Sequence, residues 1–445
     1  MKTTSVNKLT TLCSAMITVI LVLLPFHAVL TVWAGSNWGH YELFRLWIEI
    51  ALLVLTPLAL IVVLATTRLR KFWDSDVLVL ISGAYIGWQI VLGLWALHAG
   101  WVNHTALLVG WATDIRFIAF MLVTWVISTQ RPWLVTRWRE LLLLPAMFAT
   151  AFGLLQAFLL PADVLKHVGY GPKTILPFEM VDQKAAYARV QSTLRGPNPF
   201  GAYLVIIVSA LVALVVDIRR RAWRVMAVIF LVAAGVALGF TYSRSAYIGT
   251  VLGIATAIWL LLGSRRAKMW ALTGAGILTL VGGAAFMTLR HNDHFENTFF
   301  HTDEHSLSAQ SSNQVRATAL QQGLHDVAGQ PFGHGPGSAG PASTHNNHPS
   351  RIAENYYLQV GQESGWLGLG LFVALNVLVV VRLWMQRKEP LAIMLMASFV
   401  GLSFVNLLSH AWADDTLGML WWGFAGIAFS LPITKTAKPQ KKEHA

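Results

Sequence analysis

The sequence predicts an all-α, multi-pass membrane protein with about twelve transmembrane helices. Of its 445 residues, 55% are hydrophobic and only 12% are charged, whereas an average soluble domain is about 25% charged. The apolar residues also come in runs close to the roughly 20 residues that a helix needs to cross the hydrocarbon core of a bilayer. We therefore expect one integral membrane domain over residues 1–445, embedded in a lipid bilayer.

The apolar runs give the expected order of the spans. They fall at 11–33, 44–66, 77–98, 105–128, 141–160, 200–217, 225–241, 245–262, 269–288, 362–385, 391–410 and 416–432. The first run is longer than the hydrophobic part of a signal peptide, which is about 7–15 residues, so we interpret it as a retained span.

The lysines and arginines between the runs predict the orientation. Alternate loops on one side hold 21 of them, and the loops on the other side hold 9. Cytoplasmic loops are the ones enriched in these residues, so both termini are expected in the cytoplasm, with the basic tail at 433–445 near anionic lipid. The formal charge of +12 then follows from topology, and no nucleic-acid partner is expected.

Two loops on the opposite, outer side are long, at 161–199 and 289–361. The second, between the ninth and tenth spans, is expected to be partly helical. A simple helical bundle needs no long loops, so chemistry is expected there. Cys13 is the only cysteine, and the histidines show no metal-binding spacing. We therefore expect neither a metal site nor a cofactor.

Charged residues within the runs need partners, because an arginine at the bilayer centre costs about 2.5–3.5 kcal/mol on insertion scales. Asp114 and Arg116 lie in the fourth run, and Glu42, Arg45 and Glu49 form one stripe of the second. Residues two apart do not face each other on a helix, so the partners should lie on other helices. A charge network between helices is favoured, and a direct ligand role is the alternative.

Arginines on the outer side are not explained by topology. Arg189 and Arg195 precede the turn and helix start in "RGPNPFGAYL", and Arg244 lies in "TYSRSAYIG", where two spans meet almost without a loop. Helix N-termini and guanidinium groups both favour anions. These arginines therefore indicate a phosphate-binding site, although Arg195 could instead extend to lipid headgroups.

The loop at 289–361 adds further candidates. Its residues 311–330 have near-helical apolar spacing, which predicts a surface helix carrying Arg316. The glycine-rich stretch that follows, "PFGHGPGSAG", could cup an anion with its backbone N–H groups or act as a plain linker.

Glu354 ends this loop, in "RIAENYYLQVGQESGWLGLG". Several arginines with one carboxylate suggest phosphate chemistry, in which the arginines neutralise a diphosphate leaving group. A carboxylate at neutral pH could accept the proton of an attacking hydroxyl. The alternative is that Glu354 merely favours the dipole of the following helix.

These stretches together resemble the bacterial O-antigen ligase and O-antigen polymerase superfamily. The resemblance runs from Arg189 onward and rests on "RGPNPFGAYL", "TYSRSAYIG", "NQVRATALQQGL" with "PFGHGPG", and "ENYYLQVGQESGWLGLG". It implies a GT-C-like membrane glycosyltransferase of the bacterial inner membrane that works without a metal. Such enzymes take a glycan from undecaprenyl diphosphate and pass it to an acceptor sugar hydroxyl on the periplasmic side, in O-antigen, capsule or exopolysaccharide assembly.

The resemblance also implies roles for particular residues. Arg244 and Arg316 match arginines that hold the diphosphate, and Arg195 matches a less secure third. Glu354 departs from the family ligases, which carry His-Asn where this chain has Glu354 and Asn355. Many polymerase-like members have Glu-Asn, so polymerisation is slightly favoured over ligation to the lipid A core.

Other outer residues complete the expected site. Arg189, Asn355 and Tyr357 are candidates for substrate binding, and His345 or His348 could replace Glu354 as the base. A different class also fits twelve spans, namely a transporter or flippase of lipid-linked glycans, and Asp114 with Arg116 are the features that favour it.

Overall fold

The computed structural model describes residues 3–66, 76–181, 187–270, 273, 274, 288 and 312–432. Within these ranges the chain is helical, apart from loops and one antiparallel pair of two-residue strands, Glu179–Met180 (β1) and Ala188–Arg189 (β2). The labelled helices are α1 Thr3–Leu23, α2 His27–Trp38, α3 Tyr41–Arg45, α4 Trp47–Ala65, α5 Val77–His98, α6 His104–Gln130, α7 Trp133–Thr136, α8 Trp138–Phe158, α9 Pro197–Asp217, α10 Arg221–Gly239, α11 Arg244–Leu261, α12 Ser312–Gly329, α13 Tyr356–Met385, α14 Pro390–Asn406 and α15 Leu417–Phe429.

The described helices agree with the predicted spans. Nine segments within the described ranges are long and apolar enough to cross a membrane, and α14 and α15 are shorter apolar helices. Every predicted run except 269–288 coincides with one of these segments. That run falls largely outside the described residues, so the total of twelve stays a prediction, whereas the all-helical, multi-pass architecture is confirmed.

Side-chain caps fix where several helices begin. Asp76 accepts a hydrogen bond from the backbone N–H of Leu78 at the start of α5, at 2.9 Å. Asn103 does the same for Ala106 at the start of α6, at 2.8 Å. Each cap satisfies a backbone donor that the first turn of a helix leaves without a partner.

The centre of the bundle is packed through small residues. Helix α9 is the most deeply buried of the spanning helices, and α11 crosses α14 at a pair of glycines. A Cβ atom added to Gly249 would lie 2.8 Å from the carbonyl oxygen of Gly401. Only glycine allows the two backbones to approach so closely, as is common between membrane helices.

Helix α13 is broken near its start. Gly365 has a φ of 65° and a ψ of −167°, a conformation that favours glycine. The glycine-rich stretch lies against this break: the N–H of His334 donates to the carbonyl of Gln362 at 3.0 Å, and the N–H of Gly335 donates to that of Glu363 at 2.7 Å. The stretch is thus built into the bundle, which excludes a plain linker.

The glycine-rich stretch binds an acidic side chain of the protein itself. The backbone N–H of Gly337 donates to Oε1 of Glu363 at 2.9 Å. The carboxyl group of Glu363 in α13 therefore occupies a backbone N–H group that could otherwise bind an anion.

Several helix ends meet at one end of the bundle, which we call the site end: α9, α11 and α13 begin there, and α14 ends there. Asn355 joins two of them, since its Nδ2 donates to the carbonyl of Leu407 at 3.1 Å. The N–H of Val190 donates to the carbonyl of Phe240 at 2.9 Å and joins β2 to the turn before α11. The long loops are thereby attached to the ends of the spanning helices.

Candidate functional site

A polar cavity of about 350 Å³ lies at the site end, at the start of α9. Its walls come from β1, the turn before α9, and the connection between α14 and α15. The polar side chains that line it belong to Glu179, Arg195, Asn198, Ser409, His410 and Asp414.

Arg195 is held in this cavity by a buried acid. Its Nε lies 3.0 Å from Oδ2 of Asp414, and the Arg195 side chain is 40% exposed whereas that of Asp414 is only 4% exposed. The other oxygen of Asp414 accepts the backbone N–H groups of Thr416 and Leu417, at 3.0 and 3.1 Å. Asp414 is therefore fixed at the start of α15 and orients the guanidinium.

The terminal nitrogens of Arg195 make no hydrogen bond to any residue in the described ranges. An arginine held through Nε alone keeps two N–H₂ groups in the fork geometry that matches a phosphate. Arg195 is thus pre-oriented to receive an anion.

His410 lies in the same cavity and is partly buried, with both ring nitrogens shielded from solvent. Neither ring nitrogen has a hydrogen-bond partner among the described residues. Burial and the nearby charge of Arg195 lower the pKa of His410 to about 4, so the ring is neutral near pH 7 and carries one N–H donor. The cavity therefore combines a guanidinium and an imidazole N–H, which suit an anion, with the carboxylates of Glu179 and Asp414.

The contacts of Arg189 within the protein include three hydrogen bonds. Its guanidinium donates to the carbonyl of Thr241 at 2.9 Å, to Oε2 of Glu179 at 2.9 Å and to Oδ1 of Asn198 at 2.7 Å. These contacts join β1, β2, the start of α9 and the turn before α11. They favour a role in holding the cavity wall, and direct binding of substrate by Arg189 stays a prediction.

The two motifs that carry Arg195 and Arg244 pack against each other. A Cβ atom on Gly201 of α9 would lie 2.8 Å from Cβ of Ala246 and 3.1 Å from Cβ of Ser243. Arg244 is the first residue of α11 and is partly buried. The elements that were expected to carry the arginines thus meet at the site end.

The predicted surface helix is confirmed as α12, and Arg316 lies in it. The side chain of Arg316 falls outside the described part of the chain. The second half of α12 packs on α13, where Nε2 of Gln362 donates to Oδ2 of Asp326 at 2.9 Å and Nε1 of Trp366 donates to the carbonyl of Val327 at 2.7 Å. The helix is therefore docked on the bundle.

Glu354 lies two residues before the start of α13 and has a φ of 49°, which is uncommon for a residue other than glycine. Asn355 caps the helix, since its Oδ1 accepts the N–H of Leu358 at 3.0 Å, and its Nδ2 binds Leu407. Leu407 lies two residues before Ser409, which lines the cavity. These contacts bring the start of α13 close to the cavity, but they also occupy the side chain that was expected to bind substrate.

The remaining candidate residues are one tyrosine in α13 and two histidines in the loop that precedes this helix. Tyr357 is partly buried, and its ring centroid is 6.3 Å from that of Phe372 within α13. His345 and His348 are exposed. His348 lies against the turn between α5 and α6, where its Nε2 is 3.0 Å from the carbonyl oxygen of Gly100. None of the three is shown in contact with the cavity.

The expected charge network between helices is confirmed for Arg116 and Glu49, whereas Nη1 of Arg45 lies 3.9 Å from Oε2 of Glu42 within α3. Arg116 of α6 pairs with Glu49 of α4 at 2.8 Å and with Asp415. Nε2 of His27 lies 3.4 Å from the second oxygen of Asp415. Although burial alone would raise it, the pKa of Asp415 is held well below its usual range by Arg116 and His27.

His410, Asp414 and Asp415 are absent from the expected site. The sequence feature that could have identified them is the polar stretch "SHAWADDT". It separates two strongly apolar runs and is predicted on the same side of the membrane as Arg195. The predicted span 391–410 ended at His410 and so treated it as part of a helix, whereas α14 ends at Asn406.

Within the described ranges, no group of three or more His, Cys, Asp or Glu residues could hold a metal ion. The fold and the cavity define a multi-pass α-helical membrane protein with a polar cavity at one end of its bundle.

Residues 229–373 match the family model Wzy_C, described as O-antigen ligase. The match covers about a third of the chain, and over these residues the chain is similar to an O-antigen ligase domain. No curated protein matches the chain. The matched segment contains Arg244, Arg316 and Glu354, whereas Arg195, His410 and Asp414 lie outside it.

Proposed function

We propose that this enzyme transfers a glycan from undecaprenyl diphosphate to a sugar hydroxyl, in O-antigen, capsule or exopolysaccharide assembly. The observation that carries the proposal is the cavity in which Asp414 orients Arg195 beside the neutral ring of His410. A lipid diphosphate brings negative charge to such donors, and the family match supports a lipid-linked glycan as the substrate.

The reaction takes place on the outer face of the membrane, which is the periplasmic side of a bacterial inner membrane. The distribution of lysine and arginine supports this orientation, with both termini in the cytoplasm. The lipid tail lies between the helices, and its diphosphate reaches the site end.

Three arginines neutralise the diphosphate in this proposal. Arg195 binds it through the terminal nitrogens, and Arg244 and Arg316 contribute from the starts of α11 and α12. Their charges stabilise the diphosphate more as the bond to the sugar breaks, because negative charge then accumulates on the leaving group.

Glu354 is the proposed base. Its carboxylate accepts the proton of the acceptor hydroxyl, and the hydroxyl oxygen attacks the anomeric carbon from the face opposite the diphosphate. The bond from this carbon to the phosphate oxygen breaks, the electron pair leaves with undecaprenyl diphosphate, and the anomeric configuration inverts. The contact between Asn355 and Leu407 supports a position for Glu354 near the cavity.

Polymerisation is favoured over ligation to the lipid A core. The sequence Glu-Asn at positions 354 and 355 supports this choice, since family ligases carry His-Asn there. The acceptor is then a second lipid-linked glycan, and the product is a longer glycan on one lipid.

The test is a transfer assay with purified protein in nanodiscs, without an ion gradient and with EDTA present. Lipid-linked glycan should yield longer lipid-linked products and free undecaprenyl diphosphate. Product on lipid A core alone would select ligation, and no product with either acceptor would contradict the proposal.

The same assay tests the base. Glu354→Gln should lower turnover by about a hundredfold or more, as is typical for loss of a general base. His348→Gln is the matched control, because His348 is exposed and should leave turnover near wild type. If the two variants behave in the opposite way, His348 is the base.

A further inference from the structure

A second polar cavity, of about 230 Å³, lies at the site end. Its walls come from the end of α8, from β2 and the residues that follow it, and from the turn before α11. The polar side chains that line it belong to Gln156, Arg189, Gln191 and Tyr242, and Phe240 is the aromatic residue among the apolar ones. The proposed binding of the diphosphate and removal of the proton use none of these residues.

Arg189 links the second cavity to the cavity at the start of α9. It lines the second cavity, and its guanidinium donates to Oε2 of Glu179 and to Oδ1 of Asn198, which both line the other one. The two cavities are therefore neighbours that are joined through one side chain. Transfer between two bound substrates requires such closeness.

The two cavities differ in the charge that they offer to a ligand. Among the described residues that line the second cavity, Arg189 is the only charged one, and its guanidinium is paired with Oε2 of Glu179 at 2.9 Å. The cavity at the start of α9 instead offers the partly exposed guanidinium of Arg195. The second cavity is therefore unsuited to a diphosphate and suits an uncharged polar ligand.

Two polar groups at the second cavity are available to such a ligand. Oε1 of Gln156 accepts the N–H of Ser192 at 2.8 Å, whereas its Nε2 donates to no residue in the described ranges. The hydroxyl group of Tyr242 also makes no hydrogen bond to a described residue. Tyr242 has a φ of 49°, a conformation that is uncommon for residues other than glycine and that recurs at functional sites.

A sugar matches this combination of groups. Its ring presents hydroxyl groups around the edge and C–H groups on the faces, so it needs a few hydrogen-bonding partners and an apolar wall. Gln156 and Tyr242 supply the first, and Phe240 and Leu160 supply the second. An acyl chain of a lipid would instead leave both polar groups without partners, which is costly.

We propose that the second cavity binds the sugar of the acceptor, through the amide of Gln156 and the hydroxyl group of Tyr242. This inference rests on the proposed glycan transfer, in which the cavity at the start of α9 holds the diphosphate of the donor. Arg189 then forms the wall between the two ligands. It keeps the acceptor sugar beside the diphosphate, where a hydroxyl group of this sugar can reach the anomeric carbon.

The test measures binding of a free sugar and needs no turnover. The probe is the repeat-unit oligosaccharide that mild acid releases from the cell's own lipid-linked glycan, titrated onto purified protein in nanodiscs by saturation-transfer NMR. Tyr242→Phe should weaken its binding about fivefold, because the change removes one hydrogen bond. Ala157→Phe should abolish binding, because Ala157 lines the cavity and the new ring would fill part of it.

Each variant has a matched control. Tyr41→Phe removes a hydroxyl group that makes no hydrogen bond to a described residue and lines neither cavity. Ala151→Phe adds a ring at an exposed position of α8, the helix that also carries Ala157. Both controls should bind the oligosaccharide as the wild type does.

The affinity for undecaprenyl diphosphate separates the two cavities. Ala157→Phe should leave this affinity unchanged, whereas Arg195→Gln should lower it and leave binding of the oligosaccharide unchanged. Absence of oligosaccharide binding by the wild type, or equal binding by the wild type, Tyr242→Phe and Ala157→Phe, would overturn the proposal even if transfer of glycan is observed. If Ala157→Phe does not fold, Tyr242→Phe still decides.

Discussion

Oδ2 of Asp414 lies 3.0 Å from Nε of Arg195, although the Asp414 side chain is only 4% exposed and the Arg195 side chain is 40% exposed. The buried acid is fixed by the backbone of α15, and the arginine extends from it into the cavity. Such a pair differs from an exposed ion pair, because the acid cannot follow the arginine when a ligand arrives. The geometry therefore favours a preformed anion site at the start of α9.

Asp414→Asn should weaken donor binding while the fold persists. Asparagine keeps an oxygen that can accept the N–H groups of Thr416 and Leu417 but removes the charge that orients Arg195. Without the ion pair the guanidinium loses its orientation, so KM for the lipid-linked donor should rise about tenfold or more, which corresponds to about 1.4 kcal/mol of binding free energy. The control is Arg139→Ala. Arg139 lies in α8, and its Nη2 is 2.6 Å from Oδ2 of Asp217 at the far end of α9. An equal effect of both variants would contradict the assignment.

His410 should make the protein sensitive to acid. Its pKa is about 4 in the folded state and about 6.5 in the unfolded chain. Between these values the unfolded chain binds more protons, so the free energy of unfolding falls as the pH drops from about 6.5 to about 4. Across this pH range, the midpoint of thermal unfolding should fall less for His410→Gln than for the wild type. Parallel curves for the variant and the wild type would exclude burial of a neutral His410.

Asp415→Asn should destabilise the bundle. It leaves the buried Arg116 with Glu49 as its remaining ion-pair partner, and breaking a buried ion pair costs about 3–5 kcal/mol. The measurement is the unfolding midpoint in detergent, with Asp217→Asn at an exposed pair as the control. A midpoint equal to that of the control would show that the network contributes little to stability.

Gly337→Ala should disrupt the packing of the glycine-rich stretch. Gly337 has a φ of +86°, and a Cβ atom there would lie 2.1 Å from the carbonyl oxygen of Ala106. Both the conformation and the contact exclude a larger residue, so we expect poor expression or a markedly lower unfolding midpoint. Gly171→Ala is the matched control, because nothing lies within 4 Å of its Cβ position. Normal folding of both variants would contradict the described packing.

The spans were predictable because the bilayer imposes a length on each apolar run. The run predicted at 77–98 coincides with the helix Val77–His98, and Arg116 was expected to have partners on other helices. The identity of those partners was not predictable, since Asp415 lies about 300 residues further along the chain. Sequence spacing carries no information about contacts made only by the folded bundle.

The candidate site was predicted in part. The motifs carrying Arg195 and Arg244 do pack together, because Gly201 lets the two helices approach. The glycine-rich stretch was predicted either to cup an anion or to act as a plain linker, and its contact with the carboxyl group of Glu363 was not predictable from the sequence. His410 was not predicted as a site residue, because the apolar run beside it made the helix appear to continue to His410, whereas α14 ends at Asn406.

The most direct test of the account is the affinity of undecaprenyl diphosphate for the purified protein, measured without an acceptor. Arg195→Gln should weaken binding about tenfold or more relative to the wild type, and Arg139→Gln should leave it unchanged. If Arg195→Gln binds undecaprenyl diphosphate as tightly as the wild type does, the cavity at the start of α9 is not the donor site.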